Sequence, residues 1–198
     1  MKTATTAQPL TLESRQALAR HASVQEGAAR LLAEHPLLED ALAAMADQGF
    51  HDDLFRLIAR MLPAPAAIFW VVSGPDRMDG VPDPANTALH EARAALLAFA
   101  HEPKKENHAQ AVTRARALKA TTPLGQAGSA LALIPAPGTA AGKPALEEVF
   151  ADLMGRAVWL LCQRGPDERE RLRLTKHMAG GGIFLAVNGM PKGWGGTP

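Results

Sequence analysis

The chain has no tyrosine, one cysteine, 5% aromatic residues and almost no net charge: 21 Lys and Arg stand against 20 Asp and Glu in 198 residues. Each shortage excludes something. The lone Cys162 cannot close an internal disulfide, and its position after Leu160 and Leu161 in an apolar stretch reads as a small buried thiol. A formal net charge of +1 offers no concentrated basic field, so nucleic acid is not expected as a partner. The longest apolar runs, Ala64 to Val72 and Ile183 to Val187, fall well short of the roughly 18 residues of a membrane span. Lys2 is followed by Thr-Ala-Thr-Thr-Ala-Gln-Pro, without the apolar core of a secretory signal. A cytoplasmic protein with no membrane span is the expectation.

Hydrophobic residues make up 47% and charged residues 21%, which is ordinary globular usage. Alanine recurs in nearly every apolar stretch while β-branched residues are sparse, which favours helix over sheet. At this length one core is the default. The expected fold is all-α: a single compact domain of about eight helices over residues 11–188. Pro/Gly-rich loops connect them, with a flexible lead over 1–10 and a flexible tail over 189–198.

Periodicity places the helices. Leu12, Leu18, Ala22, Ala29 and Leu32 recur at roughly helical spacing after Thr11 and Ser14, which offer capping hydroxyls, and predict one amphipathic helix up to His35-Pro36. Leu37 to Asp47 forms the next, with Gly49 where a left-handed stop belongs. Asp52 or Asp53 caps or favourably charges the start of Leu54 to Met61. Ala66 to Val72, apolar on all sides, belongs in the middle of the core. Ser73 to Pro84 is dense in turn formers and predicts a surface loop. Ala85 to Glu102 and Ala109 to Ala120 make a helical hairpin, and Thr122-Pro123 opens a short helix. A second loop over Pro135 to Pro144 precedes an apolar helix, Leu146 to Cys162. Asp167, Glu168 and Glu170 open the last segment. Gly180-Gly181-Gly182 either ends that helix or lets another cross it very closely, because each glycine costs about 1 kcal/mol in a helix interior.

No motif in the chain carries a complete chemical constellation. Gly138-Thr-Ala-Ala-Gly142-Lys143 has three residues between its glycines and Pro144 after its lysine, so it lacks the spacing and the hydroxyl of a phosphate-binding loop. His51-Asp52-Asp53 precedes a helix and reads as a helix start rather than a metal site. His90 and His101 lie on one helix face, three turns apart and so about 16 Å along the axis, too far to share an ion. Ser129 has no nucleophile elbow, and Cys162 with His177 has no orienting carboxylate near in sequence. No catalytic residue, metal ligand or cofactor is assigned. Phe69, Trp70 and Trp159 lie in apolar runs and read as a buried aromatic cluster. Trp194 differs: nothing in Lys192-Gly193-Trp194-Gly195-Gly196 would bury it, and with Met190 and Phe184 it forms the candidate protein-binding set.

Several segments resemble a poorly characterised family of bacterial all-helical proteins. They are Ala41-Leu42 to Met45-Ala46, Leu62-Pro63 leading to Ile68-Phe69-Trp70, Glu91-Ala92 with Ala109 to Ala120, and Ala157-Val158-Trp159, within residues 37–188. Members of that family are similar to proteins encoded beside type VI secretion components, which implies a helper in loading a toxic effector. The resulting expectation is a protein-binding adaptor or co-chaperone, not an enzyme, whose partner is an effector or that effector's chaperone. Two other classes stay open: an immunity protein occluding a toxin, and an enzyme with an unrecognised site.

Overall fold

A computed structural model of the chain describes residues 11–74, 87–139 and 144–191. Among these there are ten α-helices and no strand: α1 (Leu12–His21), α2 (Glu26–Glu34), α3 (Leu38–Asp47), α4 (His51–Met61), α5 (Ala64–Val72), α6 (Thr87–His101), α7 (Lys105–Arg116), α8 (Pro123–Leu131), α9 (Pro144–Cys162) and α10 (Glu168–Asn188). The lead over 1–10, most of the Ser73 to Pro84 loop and residues 140–143 of the glycine-lysine stretch lie outside the described residues.

The caps expected at Thr11 and Thr122 are in place, and Asp167, expected as one of the acidic residues opening the last segment, caps it as well. Thr11 accepts from the Ser14 amide, Thr122 from that of Gly125 and Asp167 from that of Glu170, each satisfying an amide that its helix leaves free. Gly49 adopts φ +82°, the left-handed conformation that ends α3. Asp52 and Asp53 do charge the first turn of α4, but neither caps it, because the N-cap position is Phe50. Asp53 is instead buried and accepts from the Gln25 amide at 3.2 Å, tying α4 to the start of α2.

The ten helices exceed the expected eight, and one of the additions arises at the start of the chain. Leu12 to Leu32 is two helices, broken at Ala22 to Gln25 where Ser23 takes φ +48°. The turn is held from a distance. Arg15 Nη1 donates to the carbonyls of Leu32, Ala33 and His35 at the end of α2, at 3.1, 2.5 and 2.8 Å, while Asp53 holds the other end. The hairpin's second helix begins at Lys105, four residues before the expected Ala109.

The core centres on α4 and α5. Leu54, Leu57, Ile58 and Ile68 are fully enclosed, and Phe55 meets the Trp70 ring edge-on with centroids 5.9 Å apart. α9 lies along α4, α10 crosses α3, α4 and α5, and α8 fills the space between α7 and α9. The glycine triplet does not break α10, which runs on to Asn188. Gly182 faces the core, where its missing side chain admits Trp70, and Trp70 Nε1 donates to the Met178 carbonyl at 2.8 Å.

Candidate functional site

Charged side chains from two helices and an exposed tryptophan converge where α4 and α9 cross. Gly155 on α9 makes the crossing close: a Cβ there would stand 3.0 Å from the Arg56 amide nitrogen and 3.1 Å from its Cα, so the two backbones touch. Beside this contact runs a groove of about 340 Å³ lined by Asp52 and Arg56 from α4 and by Asp152, Arg156 and Trp159 from α9. Asp152, Arg156 and Trp159 share a face of α9 because they are spaced by four and three residues. Trp159 is 39% exposed, which corrects its placement in the buried aromatic cluster; Trp70 alone of the two tryptophans lies inside. The local run Ala157 to Cys162 is apolar throughout, but the helix turns residue 159 outward while Val158 and Leu161 face the core.

The charges form a ladder across the crossing. Arg56 lies 4.0 Å from Asp152 and 3.9 Å from Asp53, and Arg60 lies 3.6 Å from Asp152 and 3.9 Å from Glu148. These distances are long, and pairs near solvent at such spacing contribute about 1 kcal/mol or less. They leave hydrogen-bonding capacity unused. Arg60 is only 14% exposed, makes no hydrogen bond among the described residues, and has its Nε buried without a partner. Arg156 and Asp52 are exposed and have no ion pair among the described residues.

Residues 41–186 match the profile of DUF6931, a family of unknown function. The chain belongs to that family. The match runs from within α3 to within α10 and takes in both helices of the groove. No curated protein and no solved structure matches the chain.

In this member of DUF6931 the three residues expected to bind a partner do not share one setting. Phe184 is 57% exposed on the outer side of α10. Met190 is half-buried and packs against the core, and Trp194 lies outside the described residues. The residues set aside for chemistry are dispersed. His51 approaches the Ala46 carbonyl at 3.1 Å, and His90 and His101 are exposed on α6. Among the described residues no group of three or more His, Cys, Asp or Glu side chains could hold a metal ion. Cys162 is buried; desolvation pushes its thiol up to about 11 against a smaller opposing effect of the Thr175 hydroxyl. A neutral, enclosed thiol is a poor nucleophile. No helix among the described residues is long and apolar enough to cross a membrane.

Proposed function

We propose that this chain is a protein-binding adaptor that grips its partner through the α4–α9 groove, with Trp159 as anchor and Arg156 and Arg56 as orienting charges. The observation that carries this reading is Trp159 itself, held 39% exposed beside two arginines on a rigid helix crossing. Tryptophan and arginine dominate binding hot spots, because a large flat side chain buries much area with little rotamer loss and a guanidinium offers several directed donors. The finer reading follows the resemblance: a cytoplasmic co-chaperone that helps load a type VI secretion effector, its partner being the effector or the effector's chaperone.

Co-expression with the proteins encoded beside it, followed by size-exclusion chromatography with light scattering, tests the proposal. The expected result is a complex whose mass equals the sum of two chains. Trp159→Ala should weaken that complex about thirtyfold, the effect of a hot-spot anchor, while circular dichroism stays that of the native fold. A chain that stays alone with every neighbour, or a complex indifferent to Trp159→Ala, would sink it. A recovered toxin whose activity the complex extinguishes would replace loading by immunity.

A further inference from the structure

Across the ladder from the groove, α1, α4, α9 and the chain after α8 enclose a larger cleft of about 670 Å³. Its floor is apolar, built from Leu18, Leu62, Ile134 and Phe150, and Glu147 and Glu148 line it from the first turns of α9. We propose that this cleft seats a short segment of the partner protein, with large apolar side chains on the floor and a lysine or arginine against Glu147 and Glu148. The inference rests on the protein-binding reading and names what that partner presents.

Three observations favour this occupant. The volume suits a few side chains of a peptide and falls in the usual range of preformed sites. Among the described lining residues two carboxylates stand against one guanidinium: Glu147 is exposed with no ion pair, and Glu148 faces Arg60 alone at 3.9 Å, a cation it shares with Asp152. A basic side chain would meet an unpaired carboxylate, and an acidic one would be repelled. Arg60 then supplies the third feature, since it lines the cleft, makes no hydrogen bond among the described residues, and has its Nη atoms 3.6 and 3.9 Å from the nearest carboxylates, too far for a hydrogen bond. Main-chain carbonyls of a peptide are acceptors for its donors. An acyl chain would fill the floor but leave both the donors and the carboxylates unmet.

The test pans a displayed library of random peptides, about twelve residues long, against the full chain, and measures the enriched sequences by fluorescence anisotropy. Peptides combining large apolar residues with lysine or arginine should be enriched, and their affinity should fall about tenfold in Glu147→Gln/Glu148→Gln and fall again with added salt. Both glutamates are exposed, so this variant should keep the native melting profile. Ile134→Ser, at the half-buried side of the floor, should weaken the same peptides without altering their salt dependence. Trp159→Ala should still bind them, since Trp159 lines the groove and not the cleft. Enrichment of peptides lacking a basic residue, equal binding by the double glutamine variant, or no enrichment at all overturns the proposal. So does a dimer of the chain that Ile134→Ser dissociates, which would make a second copy the occupant. Should the native complex form and depend on Trp159 while the peptides fail, the cleft proposal falls alone; should no native complex form, the adaptor reading falls.

Discussion

Trp70 and Gly182 occupy one another's space: a Cβ built on Gly182 would lie 2.5 Å from Cζ2 of the indole, which is itself 2% exposed and bonded to the Met178 carbonyl. The neighbouring Gly180 and Gly181 face solvent, and a Cβ on either would meet nothing within 4 Å. The three glycines should therefore respond to alanine in opposite directions. Gly180→Ala and Gly181→Ala each raise stability by about 0.5–1 kcal/mol, because alanine loses less backbone entropy in a helix. Gly182→Ala lowers it by about 1–3 kcal/mol, because the indole must shift and its hydrogen bond lengthen. Urea midpoints of the three variants measure this, and a stabilising Gly182→Ala would show that Trp70 has room to move.

That contrast also marks where the sequence is legible. Caps and stops are local chemistry, so Thr11, Thr122, Asp167 and Gly49 could be placed from the residues around them. The glycine triplet could not be decided locally, since the side chain for which Gly182 leaves room is that of Trp70, 112 positions earlier. The break between α1 and α2 is of the same kind. It contains neither proline nor glycine, and the groups that hold it, Arg15 and Asp53, reach in from other turns of the chain.

Arg15 should accordingly be more costly to remove than its surface chemistry implies. It is 8% exposed, and one nitrogen of its guanidinium serves three carbonyls at the end of α2, where the helix dipole also favours a cation. Arg15→Met keeps most of the packing and removes the donors, and is expected to cost about 2–3 kcal/mol. Chemical denaturation of this variant beside Arg30→Met gives the comparison. Arg30 makes only an exposed pair with Glu34 at 3.4 Å, so its replacement should change stability by about 0.5 kcal/mol or less.

A second close contact sets the position of α8. Gly128 lies so near Ala115 of α7 that an added Cβ would come within 2.3 Å of the alanine Cβ and 3.0 Å of its carbonyl carbon. Backbone cannot yield as a side-chain tip can, so Gly128→Ala must push the helices apart. A loss of about 2–3 kcal/mol is expected from overpacking, and Ala115→Gly in the same chain should recover part of it by removing the opposing methyl. A double-mutant cycle in urea measures the coupling; additive effects would mean that α7 and α8 separate freely.

The groove was half visible in the sequence. Asp152, Arg156 and Trp159, followed by Gln163, recur at helical spacing through an otherwise apolar segment, and counting by 3.6 rather than by run length turns Trp159 outward. Arg56 and Asp52, by contrast, come from a helix about a hundred residues earlier. The packing of α9 on α4, with Gly155 against the α4 backbone, brings the two sets together, and a glycine within a helix does not announce its neighbour.

Cys162 carries the last prediction. Its ordinary value near 9 is pushed up to about 11, chiefly by burial, so between those values the folded chain holds a proton that the unfolded chain has lost. The resulting stabilisation is fully present below pH 9 and disappears as pH rises toward 11; a shift of this size corresponds to about 2–3 kcal/mol. Two measurements follow. At pH 8 the native thiol should react with a disulfide reagent only as fast as the protein opens, and at full speed in urea. Across pH 9 to 11 the urea midpoint of the native sequence should fall more steeply than that of Cys162→Ala, which has no proton to lose there. The alanine variant starts lower because of the space it leaves, so the slopes rather than the values decide. Parallel slopes, or rapid native labelling at pH 8, would mean that water reaches Cys162 between α9 and α10.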